Sequence, residues 1–246
     1  MTSLQRSEEA RTPSVDVVIP ALDEEGAIHA VVSEVLGLRD SDGRAWVRRV
    51  IVADNGSRDR TGERARTAGA EVVVAARRGY GSACLVGLAA LKHDPPDIVA
   101  FIDGDGSSDP TELPEIVRVM VREEADLVIG SRVRNAQPGA LTWPQRFGNV
   151  LATQIMNRVH GSSFSDLGPF RAIRWPALQR LEMQDPDYGW TVEMQLKAAR
   201  LGLSTVEVDV SHRVRAAGRS KVAGTVRGVL GAGGKILWVL WRHRYR

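Results

Sequence analysis

"DIVAFIDGDGSSDP", residues 97–110, decides how the rest of the chain is read. Residues 98–102 form a short apolar run of the kind that makes a buried strand. Asp103, Asp105 and Asp109 then follow among glycines, serines and a proline, which is turn chemistry. A strand that hands acidic groups to a turn fits an α/β sheet, whose ligands gather beyond the carboxyl ends of its strands. One glycine separates Asp103 from Asp105, so both carboxylates can aim at one point while Gly104 and Gly106 permit unusual dihedrals. Clustered carboxylates call for a cation. Oxygen-only ligands suit Mg²⁺ or Mn²⁺, commonly bound through one or two carboxylates plus substrate phosphates. A turn in which aspartate and glycine serve only conformation and solvation is the competing reading.

Outward from this stretch the alternation of strand and helix repeats. "VDVVIP" (15–20), "VRRVIVAD" (47–54), "EVVVAA" (71–76) and "ADLVIGSR" (125–132) predict further strands. Between them, residues 23–38 show apolar positions at helical spacing with Asp23 placed to cap, and residues 59–70, 79–91 and 110–123 predict three more helices. In the second half, residues 141–161 and 190–202 predict helices, 164–174 a loop passing into a strand, and 204–215 a strand. The pattern predicts an α/β fold with a mostly parallel central sheet and helices on both faces. Asp54, Asp103 and Asp105 fall at strand ends. No tandem repeat or low-complexity linker divides the chain. We expect residues 1–14 as a flexible segment, one domain over 15–225, and a basic amphipathic helix over 226–246.

With 246 residues, 43% apolar and 26% charged, the chain has the composition of an ordinary globular protein. Cys84 is the single cysteine, which excludes an intrachain disulfide and a thiolate zinc cluster and fits a reducing, cytoplasmic setting. The polar start, with Glu8 and Glu9, lacks a secretory signal, and no apolar run is long enough to span a bilayer. The net charge is only +3, yet no acidic residue follows Asp209 while arginines and lysines continue to Arg246. Such a tail suits an anionic partner or is simply a solvated face. Residues 79–87 lack the G-x-G-x-x-G spacing of a dinucleotide fingerprint.

"VIPALDEE", "VADNGSRDRT", "FIDGDGSSDP" and "GSR" follow successive strands in the order of family 2 glycosyltransferases of the Rossmann-like GT-A fold, which the chain resembles. The resemblance is nearest to the dolichol- and polyprenyl-phosphate mannosyl- and glucosyltransferases. It continues through "DLGPFRAIR", "WTVEMQLKAARLGL" and "HRVRAAGRSKVAGT", covering about residues 15–225. It implies a metal-dependent, inverting transfer of a hexose from UDP-glucose or GDP-mannose to a polyprenyl phosphate.

Residue by residue, the resemblance implies a donor nucleotide pocket of Pro20, Ala21, Glu24, Asp54, Arg78, Gly79 and Asp103. It implies a metal on Asp103 and Asp105, and catalytic roles for Asp105, Arg132, Glu193 and Asp166. Arg132, Arg213, Arg215, Ser220 and Lys221 would bind the acceptor phosphate, where an arginine fork suits phosphate and lysine adds a point charge. The chain departs from the family at Ser107, where relatives often have Gln, at Asn55, where they have a second Asp, and at Pro169. For Glu193 a salt bridge is the alternative, and for Asp166 a loop anchor paired with Arg171 or Arg174. His29, His93 and His160 have no metal-ligand spacing.

Residues 226–246 bring Trp238 and Trp241 beside basic residues, which fits an interfacial helix on an anionic membrane or a helix packed on the domain. The protein is thus expected to be cytoplasmic, with a peripheral place at the inner face of the membrane and no nucleic-acid partner. A soluble phosphorylated acceptor is the alternative. A nucleotidyltransferase lacks support, because no glycine-rich, basic triphosphate loop opens the chain. A non-catalytic nucleotide-sugar binder is disfavoured by the retained Asp103, Asp105 and Arg132.

Overall fold

β-Branched runs become strands and apolar helical periodicities become helices in a computed structural model, which describes residues 12–215. In chain order the elements are β1 (Val15–Ala21), α1 (Ile28–Gly37), β2 (Arg49–Asp54), α2 (Thr61–Thr67), β3 (Glu71–Val74), α3 (Tyr80–Leu91) and β4 (Ile98–Phe101). A 3-10 turn (Pro110–Glu112) leads into α4 (Leu113–Arg122), followed by β5 (Leu127–Ser131), α5 (Trp143–His160), β6 (Arg171–Arg174), α6 (Trp175–Leu181), α7 (Trp190–Arg200) and β7 (Thr205–Asp209). The expected helix over 226–246, and Ser220 and Lys221, lie outside the described residues. Ser14, expected in a flexible segment, is anchored: its Oγ donates to Asp97 Oδ2 at 2.7 Å.

The sheet runs β3-β2-β1-β4-β6-β5-β7. All neighbours pair in parallel except β6, which is antiparallel to both β4 and β5. This one reversal matters for the site. Because Arg171, the first residue of β6, pairs with Phe101 of β4 and Ile129 of β5, the loop before β6 arrives where β4 and β5 end. β7 ends beside Ser131, so the segment after it arrives there too. One edge of the sheet therefore collects loops from both halves of the chain.

Both faces of the sheet are buried, as expected where helices cover a largely parallel sheet. Val17, Ile19, Val50 and Val52 join the core under α1 and α4, whereas Val18, Ile51, Val99 and Phe101 join the core under α3, α6 and α7. The alternation follows from the two-residue period of a strand. Phe101 and Trp190 meet edge to face, 6.0 Å between ring centroids. Asp16, the one charge inside β1, is fully buried and ion-paired to Arg48 at 2.7 Å and Arg49 at 2.9 Å.

Two expectations need correction. Asp23 does not cap α1, which begins five residues later behind Ala27; its φ of 51° turns it into the preceding loop. There its carboxylate accepts from the Arg58 amide at 2.8 Å, tying the β1–α1 loop to the β2–α2 loop. α6 was not anticipated. It is only seven residues long, and its apolar positions Ala177, Leu178 and Leu181 cover too few turns to show a period.

The first turn of α3 sits against residues 185–187. Ser82 N donates to Pro186 O at 2.8 Å and Gly81 N to Asp187 O at 3.3 Å. A Cβ at Gly81 would collide with the Asp185 carbonyl, and Gly79, at φ 144°, faces the Pro186 carbonyl in the same way. Gly81→Ala is expected to destabilise the protein by about 1–3 kcal/mol, the usual range for overpacking against backbone. Urea or thermal melts beside the wild type measure it.

Candidate active site

The loops after β1, β2, β4, β5 and β7 and the loop before β6 enclose a cleft of about 770 Å³. Its lining includes Pro20, Ala21, Glu24, Arg78, Gly79, Asp103, Asp105, Arg132, Arg213 and Arg215. The cleft thus brings together most residues singled out from the sequence. Asp54, Asp166 and Glu193 are not among those that line it.

Asp103 and Asp105 stand on one wall. Tyr80 Oη donates to Asp103 Oδ1 at 3.1 Å, and Asp105 Oδ1 accepts from the Ser107 amide at 2.9 Å, closing the turn that the glycines allow. Burial, and after it the charge of Asp105, raises the Asp103 carboxyl to about 7. Positive charge answers this pair from across the cleft. Arg215 bridges Glu24 Oε1 at 2.6 Å and Asp105 Oδ2 at 2.9 Å.

Asp109, the third aspartate of the run, has a different task. Its carboxylate accepts from Thr111 N at 3.1 Å and Thr111 Oγ1 at 2.7 Å at the start of the 3-10 turn, and pairs with Arg213. The segment after β7 is thereby strapped across the turn, with Arg213 N donating to Ser107 O at 2.7 Å and Ser211 N to Glu112 Oε1 at 2.9 Å.

Arg132 follows β5 and points into the cleft with two of its nitrogens held. Nε and Nη2 each donate to Asp166 at 2.8 Å, a bidentate pair in which Asp166 is 1% exposed. Burial alone would raise the Asp166 carboxyl, but the Arg132 hydrogen bonds overcome it and hold it below the usual carboxylate range. Asp166 therefore positions Arg132 and is itself withdrawn from the cleft; neither Arg171 nor Arg174 is its partner. Arg171, fully buried, instead donates to Gly168 O at 2.9 Å and Thr191 O at 3.2 Å, and burial lowers its guanidinium to about 10. Gln195 Nε2 completes the support by donating to Asp166 O at 3.0 Å.

Two assignments change on this geometry. Glu193 is buried in α7, accepting from Gln184 N at 3.1 Å and Asp185 N at 2.7 Å and pairing with Lys197 at 2.8 Å. It fixes the loop that packs on α3, in line with the salt-bridge reading. Asp54 turns its Oδ1 to the Ser57 amide at 2.8 Å within the turn after β2. Its neighbour Asn55 lines the cleft in its place and accepts from Gly79 N at 3.0 Å.

His212 was missed. Its backbone carbonyl accepts from Gln137 N at 2.8 Å, and its ring lines the cleft, 7% exposed. The Nδ1 atom has no hydrogen-bond partner among the described residues. Burial, and then the Arg132 guanidinium, push the imidazole down to about 4, so it is neutral at pH 7 and can act as a lone-pair donor. A single histidine in an irregular strand-like segment carries no spacing signal. Its place beside Arg213 and Arg215, in a segment already singled out, was the only cue.

The Asp103 and Asp105 carboxylates suit a hard divalent cation. Among the described residues no group of three or more His, Cys, Asp or Glu side chains is placed to hold a metal ion. A closed set is not required where substrate oxygens complete the shell.

The "Glycosyl transferase family 2" profile matches residues 16–181. The chain belongs to the family 2 glycosyltransferases. It is 38% identical over 218 residues to a glycosyltransferase of Mycobacterium tuberculosis, covering 87% of this chain and 92% of that protein. It is 33% identical over 196 residues to the undecaprenyl-phosphate mannosyltransferase of Micrococcus luteus, covering 73% and 77%. Among solved structures it is similar to the glucosyl-3-phosphoglycerate synthase of Mycobacterium tuberculosis in complex with Mn²⁺, UDP and phosphoglyceric acid. That similarity has a TM-score of 0.75 at 26% identity, over 95% of this chain and 79% of that one. The glycosyltransferase is therefore an enzyme of nucleotide-sugar chemistry on a GT-A fold, as its sequence motifs imply.

Two expectations follow from the site. Below pH 3.8 the Asp103 carboxyl is neutral folded and unfolded; its stabilising contribution is lost as pH rises through its folded value of about 7. In metal-free buffer with EDTA, Asp103→Asn should therefore melt above the wild type by a margin that widens from about pH 4 to about pH 7 and is flat above that. A margin independent of pH would contradict the buried, raised carboxyl. Glu193→Gln should lower the melting temperature but keep kcat within about threefold of wild type, since a general base contributes about 100-fold or more. A hundredfold loss of kcat in a folded Glu193→Gln protein would return that residue to the chemistry.

Proposed function

We propose that this glycosyltransferase moves a hexose from a nucleoside diphosphate sugar to a polyprenyl phosphate, with inversion at the sugar carbon and a divalent cation, Mg²⁺ or Mn²⁺, on the donor diphosphate. The observation that carries the reading is that one cleft gathers two carboxylates, Asp103 and Asp105, and three arginines, Arg132, Arg213 and Arg215. Acids facing a cation and arginines facing a second anion are what a diphosphate donor and a phosphate acceptor require.

Pro20, Ala21, Glu24, Asn55, Arg78 and Gly79 line the cleft and would receive the nucleotide. Asp103 and Asp105 would hold the cation, which would supply Lewis-acid neutralisation of charge on the leaving diphosphate. Arg132, set rigidly by Asp166, would orient the acceptor oxygen opposite the leaving group, because a pre-aligned arginine saves the entropy of positioning. The acceptor oxygen forms the new bond to the anomeric carbon as the bond to the diphosphate breaks. A phosphate monoester has a second pKa of about 6, so it arrives ionised and needs no strong base. The absence of Glu193 from the cleft lining agrees with that.

A soluble phosphorylated acceptor is the second reading, favoured by the phosphoglyceric acid bound in the similar synthase. Both readings share the three arginines. Calorimetric titration with UDP-glucose and GDP-mannose, each with Mn²⁺ and with EDTA, tests the donor. Turnover assays with undecaprenyl phosphate and with phosphoglycerate then test the acceptor. We expect metal-dependent binding of one donor, transfer to the lipid phosphate, and loss of turnover by at least about 100-fold in Asp105→Asn. Transfer to phosphoglycerate alone would replace the lipid reading, and full activity of Asp105→Asn would remove the cation site.

A further inference from the structure

α5 carries an apolar face that nothing in the described residues covers. Trp143 is 85% exposed, Phe147 70% and Val150 50%, at spacings of four and three residues that put them on one side of the helix. The opposite side packs inward through Ala152 and Met156. Arg146 and Arg158 are exposed along the same helix and have no carboxylate partner among the described residues. The helix begins at the cleft. Thr142, which caps it by exchanging hydrogen bonds with Gln145, lines the cleft together with Gln145 itself.

Charge points the same way. Residues 127–165 contain four arginines, Arg132, Arg134, Arg146 and Arg158, and no Asp or Glu. The acid-free stretch after Asp209 is stitched to this one at the cleft: Gln137 N donates to His212 O at 2.8 Å, and Val214 N to Gln137 Oε1 at 3.3 Å. Arg134 is offset by Asp209, at 3.0 Å. Exposed aromatic side chains beside arginines, without acids, are the chemistry of a helix that lies in the interface of an anionic bilayer.

We propose that the Trp143–Phe147–Val150 face of α5 docks on an anionic lipid surface, bringing the cleft mouth to the level of lipid phosphates. The inference rests on the lipid-phosphate acceptor of the proposed function and deepens it, because it says how an apolar acceptor reaches a polar cleft. Aromatic side chains enter the headgroup region while Arg146 and Arg158 meet lipid phosphates. Among the described residues no helix is long and apolar enough to cross a membrane.

The test is co-sedimentation of the full chain with vesicles of phosphatidylcholine alone and of phosphatidylcholine mixed with phosphatidylglycerol. Wild-type protein is expected to bind the anionic vesicles, less so as salt rises, and Trp143→Ser/Phe147→Ser to bind at least about tenfold more weakly with unchanged circular dichroism. Equal binding by wild type and the double variant would overturn the proposal, as would no binding by wild type. So would light scattering showing that the double substitution dissociates a dimer while leaving vesicle binding intact, which would make the occupant a second copy of the chain. Transfer to a short-chain, water-soluble prenyl phosphate separates the two readings. The double variant should retain that activity, and its absence from the wild type would count against the acceptor assignment alone.

Discussion

Two aspartates crowded together after β4, Asp105 buried and Asp103 half-buried, set the terms for the rest of the site. Burial, and after it the charge of Asp105, raises the cost of ionising Asp103. A fold can keep such a pair only by surrounding it with hydrogen-bond donors and cations. Tyr80 supplies a hydroxyl, the Ser107 amide closes on Asp105, and Arg215 crosses from the segment after β7 to reach Asp105. The sheet order makes this meeting feasible. β4 lies centrally, with β1 on one side and the reversed β6 on the other, so loops distant in sequence converge on it.

Arg132 shows how the same charge logic extends outward. Left alone, a guanidinium this close to the aspartates would fold onto them. Asp166 prevents that by taking Nε and Nη2 together, and Asp166 is itself held by Gln195 through its carbonyl. Arg171 anchors the next residues through Gly168 O, and a Cβ at Gly168 would strike the Gly130 carbonyl, so the loop lies directly on β5. The direction of one arginine therefore depends on a buried acid, a buried amide and a second buried arginine, all presented by the loop before β6 and by α7.

What could be read in the sequence follows from how local each signal is. The strands that bury both faces are continuous apolar runs, and the carboxylates at their ends come in glycine-rich turns, so β1, β2, β4 and β5 and the Asp103–Asp105 pair were legible. Which way a side chain turns was not. Asp54 and Glu193 are acids of the expected type at the expected positions, yet their partners, the Ser57 amide and the 184–185 backbone, decide that they face away from the cleft. The antiparallel course of β6 is likewise invisible in "RAIR", because strand direction is fixed by tertiary pairing. His212 stayed hidden because its role comes from burial beside Arg132 and from an unsatisfied nitrogen, neither of which has a sequence period.

Arg215 links the aspartate pair to the proposed chemistry. Its guanidinium and a divalent cation compete for the same oxygens of Asp105, since each neutralises the same buried charge. With a cation on Asp105, Arg215 would be free to meet the anionic oxygens of the donor diphosphate within the cleft. Glu24 keeps hold of the other side of the guanidinium, at 2.6 Å, and limits how far it can swing. The segment carrying it is fixed by the Arg213 amide on Ser107 O and by Ser211 on Glu112. One arginine thus stabilises the aspartate pair and, in the proposed chemistry, would stand within reach of the donor diphosphate.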